Sequence, residues 1–223
     1  MNIKQILIEN CLSDAIIISE SNSFYRSLPG AWKKIVSETN TDEKRKVILN
    51  YWKSFKDILP KIYHLLQQDL RDVVVVDDKG TLKIVYIFKS NGDIITYQGE
   101  LPINEHKMIN ELPTGISKFY KEIHNGWNDT ISGGLGFLEL DDIRYLSDLE
   151  WGILEELDKV DIDLNSTFYV FHNGASGYLC ISVLEGNDHS YLIWWANDEP
   201  QYNIDFWSYF DAWVQINFGY EDL

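Results

Sequence analysis

The sequence predicts an α+β fold, an antiparallel sheet packed against helices with an N-terminal α+β extension ahead of it. Three observations predict it. Apolar residues recur at spacings of three and four over residues 41–66, and the period falls to two over residues 73–97. A second succession of helix, loop, strand-like runs and helix then occupies residues 113–217. Of the 223 residues, 45% are apolar and 14% aromatic, which is enough side-chain area to offset the entropy of ordering the chain and excludes a disordered one.

Taken in order, Ile6, Leu7, Leu12 and the run Ala15–Ile18 predict a short helix followed by a buried segment, and Ser27-Leu28-Pro29-Gly30 reads as a turn. Thr41 or Asp42 is placed to cap the next helix. Val47, Ile48, Tyr51, Trp52, Phe55, Ile58, Leu59, Ile62, Tyr63 and Leu66 then form one apolar stripe. Pro60 falls inside that stripe, so a kink or two abutting helices is expected. Val73–Val76 is a β-branched run closed by Asp77-Asp78-Lys79-Gly80, and Leu82, Ile84, Tyr86 and Phe88 alternate in the strand after it. Asn91-Gly92 is a strong hairpin signal, and Ile94, Ile95 and Tyr97 complete a three-stranded meander.

A second unit is expected from residue 101 to 223, after a first from 1 to 100. Pro113 suits the first turn of a helix bearing Ile116, Phe119, Tyr120 and Ile123, with Asn125-Gly126 stopping it. A glycine-rich loop, Ser132–Gly136, leads into a strand-like Phe137–Leu140, and the acidic, apolar stretch 141–158 reads as partly helical. Strands are expected at Thr167–His172, Tyr178–Val183 and Tyr191–Ala196. A helix from about Ile204 closes the pattern, with Phe206, Phe210, Trp213 and Val214 on or near one face.

Charge is distributed unevenly. Residues 1–100 hold 14 Lys and Arg against 13 Asp and Glu, whereas residues 101–223 hold 5 against 22. An acidic half repels phosphate, so nucleic acids and anionic membranes are poor partners for it. It attracts basic surfaces, and such steering raises association rates. The bland alternative is that the charge serves solubility alone. No apolar run approaches the roughly 20 residues that span a bilayer, and the start lacks the pattern of a secretory signal. Cys11 and Cys180 read as ordinary buried thiols in a reducing compartment, so a cytoplasmic protein is expected.

One set of motifs is less generic. Leu112-Pro113 opening a helix that ends at Asn125-Gly126, Gly136–Asp141, the hairpin Phe168–Ile181 with Gly174 and Gly177 at its turn, and Ile193–Pro200 followed by Ser208–Trp213 occur in one order. Over residues 108–217 this resembles the SUKH superfamily. The chain departs from it at Trp194-Trp195-Ala196, where the family often has a more polar Trp-Asp pattern, and residues 1–100 have no counterpart. The resemblance implies a binding function, commonly that of an immunity protein that occludes a toxin, and it brings no catalytic residues and no cofactor.

The tripeptides His124-Asn125-Gly126 and His172-Asn173-Gly174 could be metal ligands or nuclease bases, but no Cys or acidic residue stands at ligand spacing around either, and Asn-Gly is ordinary turn chemistry. Gly133-Gly134-Leu135-Gly136 lacks the spacing of a phosphate-binding loop. Carboxylate pairs suit acid–base or metal chemistry, yet among 35 acidic residues adjacent pairs arise without selection. Neighbouring residues on a strand face opposite ways, so of Trp194 and Trp195 one faces the helices and the other, if uncovered, suits an interface anchor beside Asp198 and Glu199. The expected partner-binding residues are Glu139, Asp141, Asp142, Trp195, Asp198 and Glu199. The expected function is a non-enzymatic immunity-type protein that binds a basic toxin domain, such as a nuclease. A regulatory or scaffold module and a carboxylate-based hydrolase are the alternatives.

Overall fold

A computed structural model describes residues 2–220. Its first elements are the helix α1 (Ile3–Glu9), capped by the side chain of Asn2 at the Gln5 amide, and the two-residue strand β1 (Ile16–Ile17). Ile18 is buried, but Ile16 and Ile17 are 61% and 43% exposed, so the buried segment expected there is an edge strand instead. The Leu28-Pro29 pair read as a turn launches α2 (Gly30–Ser37), which buries Trp32 and Ile35. The long apolar stripe is two helices, α3 (Thr41–Tyr51) and α4 (Pro60–Gln68), with a 3-10 turn between them and Pro60 at the first turn of α4, where its missing N–H costs nothing. Asn40, rather than Thr41 or Asp42, caps α3; its Oδ1 accepts from the amides of Asp42 and Glu43 at 2.9 and 3.4 Å.

The strand signals resolve into β2 (Leu70–Asp78), β3 (Thr81–Ser90) and β4 (Asp93–Glu100). Lys79-Gly80 and Asn91-Gly92 take positive φ at both positions, the two-residue turn whose twist matches the strands it joins. After α5 (Thr114–Glu122) the chain does not close the helix with Asn125-Gly126. Those residues open β5 (Asn125–Asp129), which pairs antiparallel with β4. The first sheet therefore runs β1-β2-β3-β4-β5, all antiparallel.

A second antiparallel sheet follows. The stretch 141–158, expected to be partly helical, holds β6 (Arg144–Tyr145) and two short 3-10 turns, with no α-helix. The three strand-like runs form β7 (Thr167–His172), β8 (Gly177–Val183) and β9 (His189–Trp195). With β10 (Gln201–Tyr202) the order is β10-β9-β8-β7-β6. The last helix is α6 (Phe206–Ile216), capped by the Asp205 side chain at the Ser208 amide. The architecture is α+β, with two five-stranded sheets and six helices among the described residues.

Residues 134–138 join the sheets. The Trp127 amide donates to the Phe137 carbonyl at 2.8 Å, making a single bridge where a strand was expected, while Leu135 and Leu138 donate to the carbonyls of His172 and Val170 on β7 at 2.8 and 3.0 Å. Gly136 lies in this seam because a Cβ there would stand 2.0 Å from the Trp127 carbonyl oxygen. One apolar core runs from Ile18 to Phe218 and contains Trp52, Tyr86, Phe119, Trp127, Phe137 and Phe210. Hydrogen bonds and core contacts thus cross the position between residues 100 and 101. At the far end, Ser90 donates to the Phe218 carbonyl and Tyr220 to Asp69, both over about a hundred residues or more of sequence.

Candidate interaction surface

The second sheet has two unlike faces, and β9 shows how the sequence makes them. Trp195 turns toward α6, its ring 5.8 Å from that of Trp213, and lies over Gly177, where a Cβ would be 2.6 Å from it. It is half-buried. Trp194 points the other way and is wholly buried with Cys180 and Leu192. That face is covered by residues 141–164, whose apolar side chains Leu146, Trp151 and Ile153 fold inward, the Trp151 ring 5.7 Å from that of Trp194 and its Nε1 donating to the Leu146 carbonyl at 2.8 Å. Burial pushes the Cys180 thiol far above its ordinary range, which makes it a packing group and not a nucleophile.

The alternation of acidic and apolar residues over 141–163 now has a cause. The segment is a strap whose apolar residues seal the sheet and whose nine Asp and Glu all remain exposed, against the two cations Arg144 and Lys159. It starts beside β6 at one edge of the sheet, and the Asp161 amide reaches the Tyr202 hydroxyl of β10 at the other.

Asp141 and Asp142 are exposed at the β6 edge. The Met108 amide donates to His106 Nδ1, so Nε2 carries the proton and donates to Asp141 at 3.1 Å. The Arg144 guanidinium donates to the Asp141 carbonyl oxygen. Glu139 is half-buried, accepts from Asn128 Nδ2 at 3.0 Å, and lies against Gly126. Desolvation holds its carboxyl above the usual range, with Glu100 and Asp142 adding to the effect and the Asn128 bond opposing it. Glu100, at the end of β4, is raised in the same way, chiefly by burial, and accepts from Asn125 Nδ2 at 2.8 Å. Sequence reasoning missed Glu100 because the pairing of β4 with β5, which brings it beside Glu139, leaves no local signal.

Asp198 and Glu199 are exposed in the turn between β9 and β10. That turn and the Asp141–Asp142 pair stand at opposite edges of the sheet, separated by three to four strand spacings of about 4.8 Å. Glu139, Asp141 and Asp142 therefore stand at one edge of the sheet, where the strap begins, and Asp198 and Glu199 at the other. Trp195 lies half-buried on the opposite, helix-facing side because α6 covers it, so it is not the uncovered anchor expected.

The two His-Asn-Gly tripeptides serve packing. His124 is fully buried, its Nε2 2.6 Å from the Tyr86 hydroxyl. His172 Nδ1 accepts from the Gly174 amide at 3.3 Å. Among the described residues no three His, Cys, Asp or Glu side chains are placed to hold a metal ion, and no helix is long and apolar enough to cross a membrane. No family model, no curated protein and no solved structure matches the chain.

Proposed function

We propose that this is a non-enzymatic binding protein acting in the cytoplasm, of the immunity type, whose second sheet docks a basic protein such as a toxin nuclease domain and occludes it. The observation that carries the reading is the strap. Nine exposed carboxylates against two cations span one face of the second sheet, with Asp198 and Glu199 in the turn at its far edge. A surface of this sign attracts a cationic protein over a distance of about 8 Å at physiological salt. The ordered motifs that resemble the SUKH superfamily support the same reading.

Replacing Asp198 and Glu199 by Lys, in parallel with Asp141 and Asp142 by Lys, tests it. A basic protein captured from lysate of the source organism should elute from the wild type at moderate salt, and from each variant at lower salt with a flatter salt dependence. Glu100 and Glu139 ionise only above the usual carboxylate range, so binding should also strengthen as the pH rises through and beyond that range. Capture that neither variant weakens would remove the acidic face from the interface. A neutral partner retained at high salt would favour a scaffold role.

A further inference from the structure

α6 and the end of β9 bring three aromatic rings together on the side of the second sheet away from the strap. Tyr209 and Trp213, one helical turn apart on α6, have ring centres 6.1 Å apart at 81°, and Trp195 stands 5.8 Å from Trp213 at 59°. The three rings thus form a corner and not a flat stack. All are only partly buried and pack on the main core, Trp213 with its ring 5.5 Å from that of Phe171, so they are held in place before any partner arrives. The turn between β9 and β10 borders the corner, because the residues on either side of it both touch α6. Trp195 meets Trp213, and Gln201 Nε2 donates to the Tyr209 hydroxyl at 2.8 Å. That turn exposes Asp198 and Glu199, and Asp205, also exposed, caps α6 one turn before Tyr209. No lysine or arginine follows Lys159 in the sequence, so β7 to β10, the turn and α6 supply carboxylates and no Lys or Arg to offset them. Among the described residues no cation of the chain lies over any of the three rings.

We infer that this aromatic corner receives an arginine side chain of the basic partner. The inference rests on the reading of the chain as a binder of basic proteins, and it names the residue that anchors the partner. Aromatic faces attract a cation through their quadrupole, and indole does so most strongly. A guanidinium is planar and weakly hydrated, so it stacks on a ring while its forked N–H groups pair with a neighbouring carboxylate. A lysine ammonium is a strongly hydrated point charge and gains less from the same surroundings. Trp, Tyr and Arg also dominate the few residues that carry most of the energy at protein interfaces. The strap draws a basic protein in without choosing among its cations; the corner selects arginine.

Nuclear magnetic resonance on the full chain tests this, with a capped tri-arginine peptide and its tri-lysine counterpart as probes. Salt of about 150 mM screens diffuse attraction beyond about 8 Å. The indole N–H signals of Trp195 and Trp213 should shift, and the dissociation constant read there should be about two- to fivefold lower for the arginine peptide. Asp198→Asn with Glu199→Gln should weaken arginine binding at those signals by about the same factor. Tyr209→Leu should weaken it too and narrow the preference over lysine. The carboxamide pair lies on an exposed turn, so it reports on the corner even if Tyr209→Leu disturbs the fold. Shifts confined to the strap, residues 141–163, would overturn the inference and leave the basic-partner reading standing. Equal affinity for the two peptides, or no loss in the carboxamide variant, would overturn it in the same way. A chain in which no signal moves would overturn both.

Discussion

His124, from the second half of the chain, sits in a cage of aromatic rings drawn from the first. Trp32 of α2, Tyr51 and Trp52 of α3 and Tyr86 of β3 all have ring centres within 6.2 Å of its own. A fifth wall is Gly99, where a Cβ would lie 2.6 Å from the imidazole. No charged side chain faces the ring from these elements, and burial drives its pKa down to about 3. The folded value lies below the unfolded one of 6.5, so between these limits the unfolded chain binds more protons and stability falls as pH drops. The slope is about 1.4 kcal/mol per pH unit well inside the window. Glu100, Glu139 and Asp211, whose carboxyls are raised, act in the opposite sense, so the histidine is best isolated by substitution. Urea denaturation of His124→Gln near pH 5 should show about one fewer proton taken up on unfolding than the wild type. An unchanged proton count would mean that His124 titrates normally in the fold. Nothing in the sequence around His124 announces this role. Its neighbours Asn125 and Gly126 suggest a turn, and the cage exists only through contacts with residues 25 to 92 positions away.

Elements were legible where their cause is local. Pro60, the alternation in β3 and the Asn91-Gly92 turn each dictate structure within a few residues, and all three appear where the sequence placed them. The β5 strand was not legible, because Asn125–Asp129 has no apolar alternation and is a strand only through its pairing with β4. The link between α4 and α6 is equally non-local. Asp211 on α6 accepts from the amides of Lys61 and Ile62 at 2.8 Å each, so one helix caps another from about 150 residues away. Asp211→Ala leaves two N–H groups of the first turn without their partner, one of them buried, and should cost about 2–4 kcal/mol in urea denaturation, with faster hydrogen exchange at the first turn of α4 specifically. The seam between the sheets is more sensitive to size. Gly136→Ala forces a methyl group against backbone and should cost about 3 kcal/mol or more, by a lower denaturation midpoint. A midpoint within about 0.5 kcal/mol of wild type would show that the bridge between Trp127 and Phe137 yields at no cost.

The molecule as a whole combines a continuous core with a divided surface. The core draws α2, α3, α4, the first sheet, α5 and α6 into one aromatic cluster, while the charge falls almost entirely on the second half. The charge division could be read from the sequence by counting. The strap could not, since the acidic and apolar alternation of 141–163 lacks a helical or strand period and takes its form from the sheet beneath it. Because β5 pairs with β4 and α6 caps α4, residues 1–100 and 101–223 should not fold when expressed apart. The intact chain should melt in one calorimetric transition whose van't Hoff and calorimetric enthalpies agree, and two resolved transitions would show independent units. The same connectivity governs how the protein is made. At about 5–20 residues per second, β4 leaves the ribosome roughly 5–20 s before α6 does. During that interval Phe88 and Tyr97 lack Phe218, and the first turn of α4 lacks its cap. Each newborn chain therefore carries, through much of its own translation, a sheet that α2–α4 cover only in part, with aromatic side chains still waiting for the last helix.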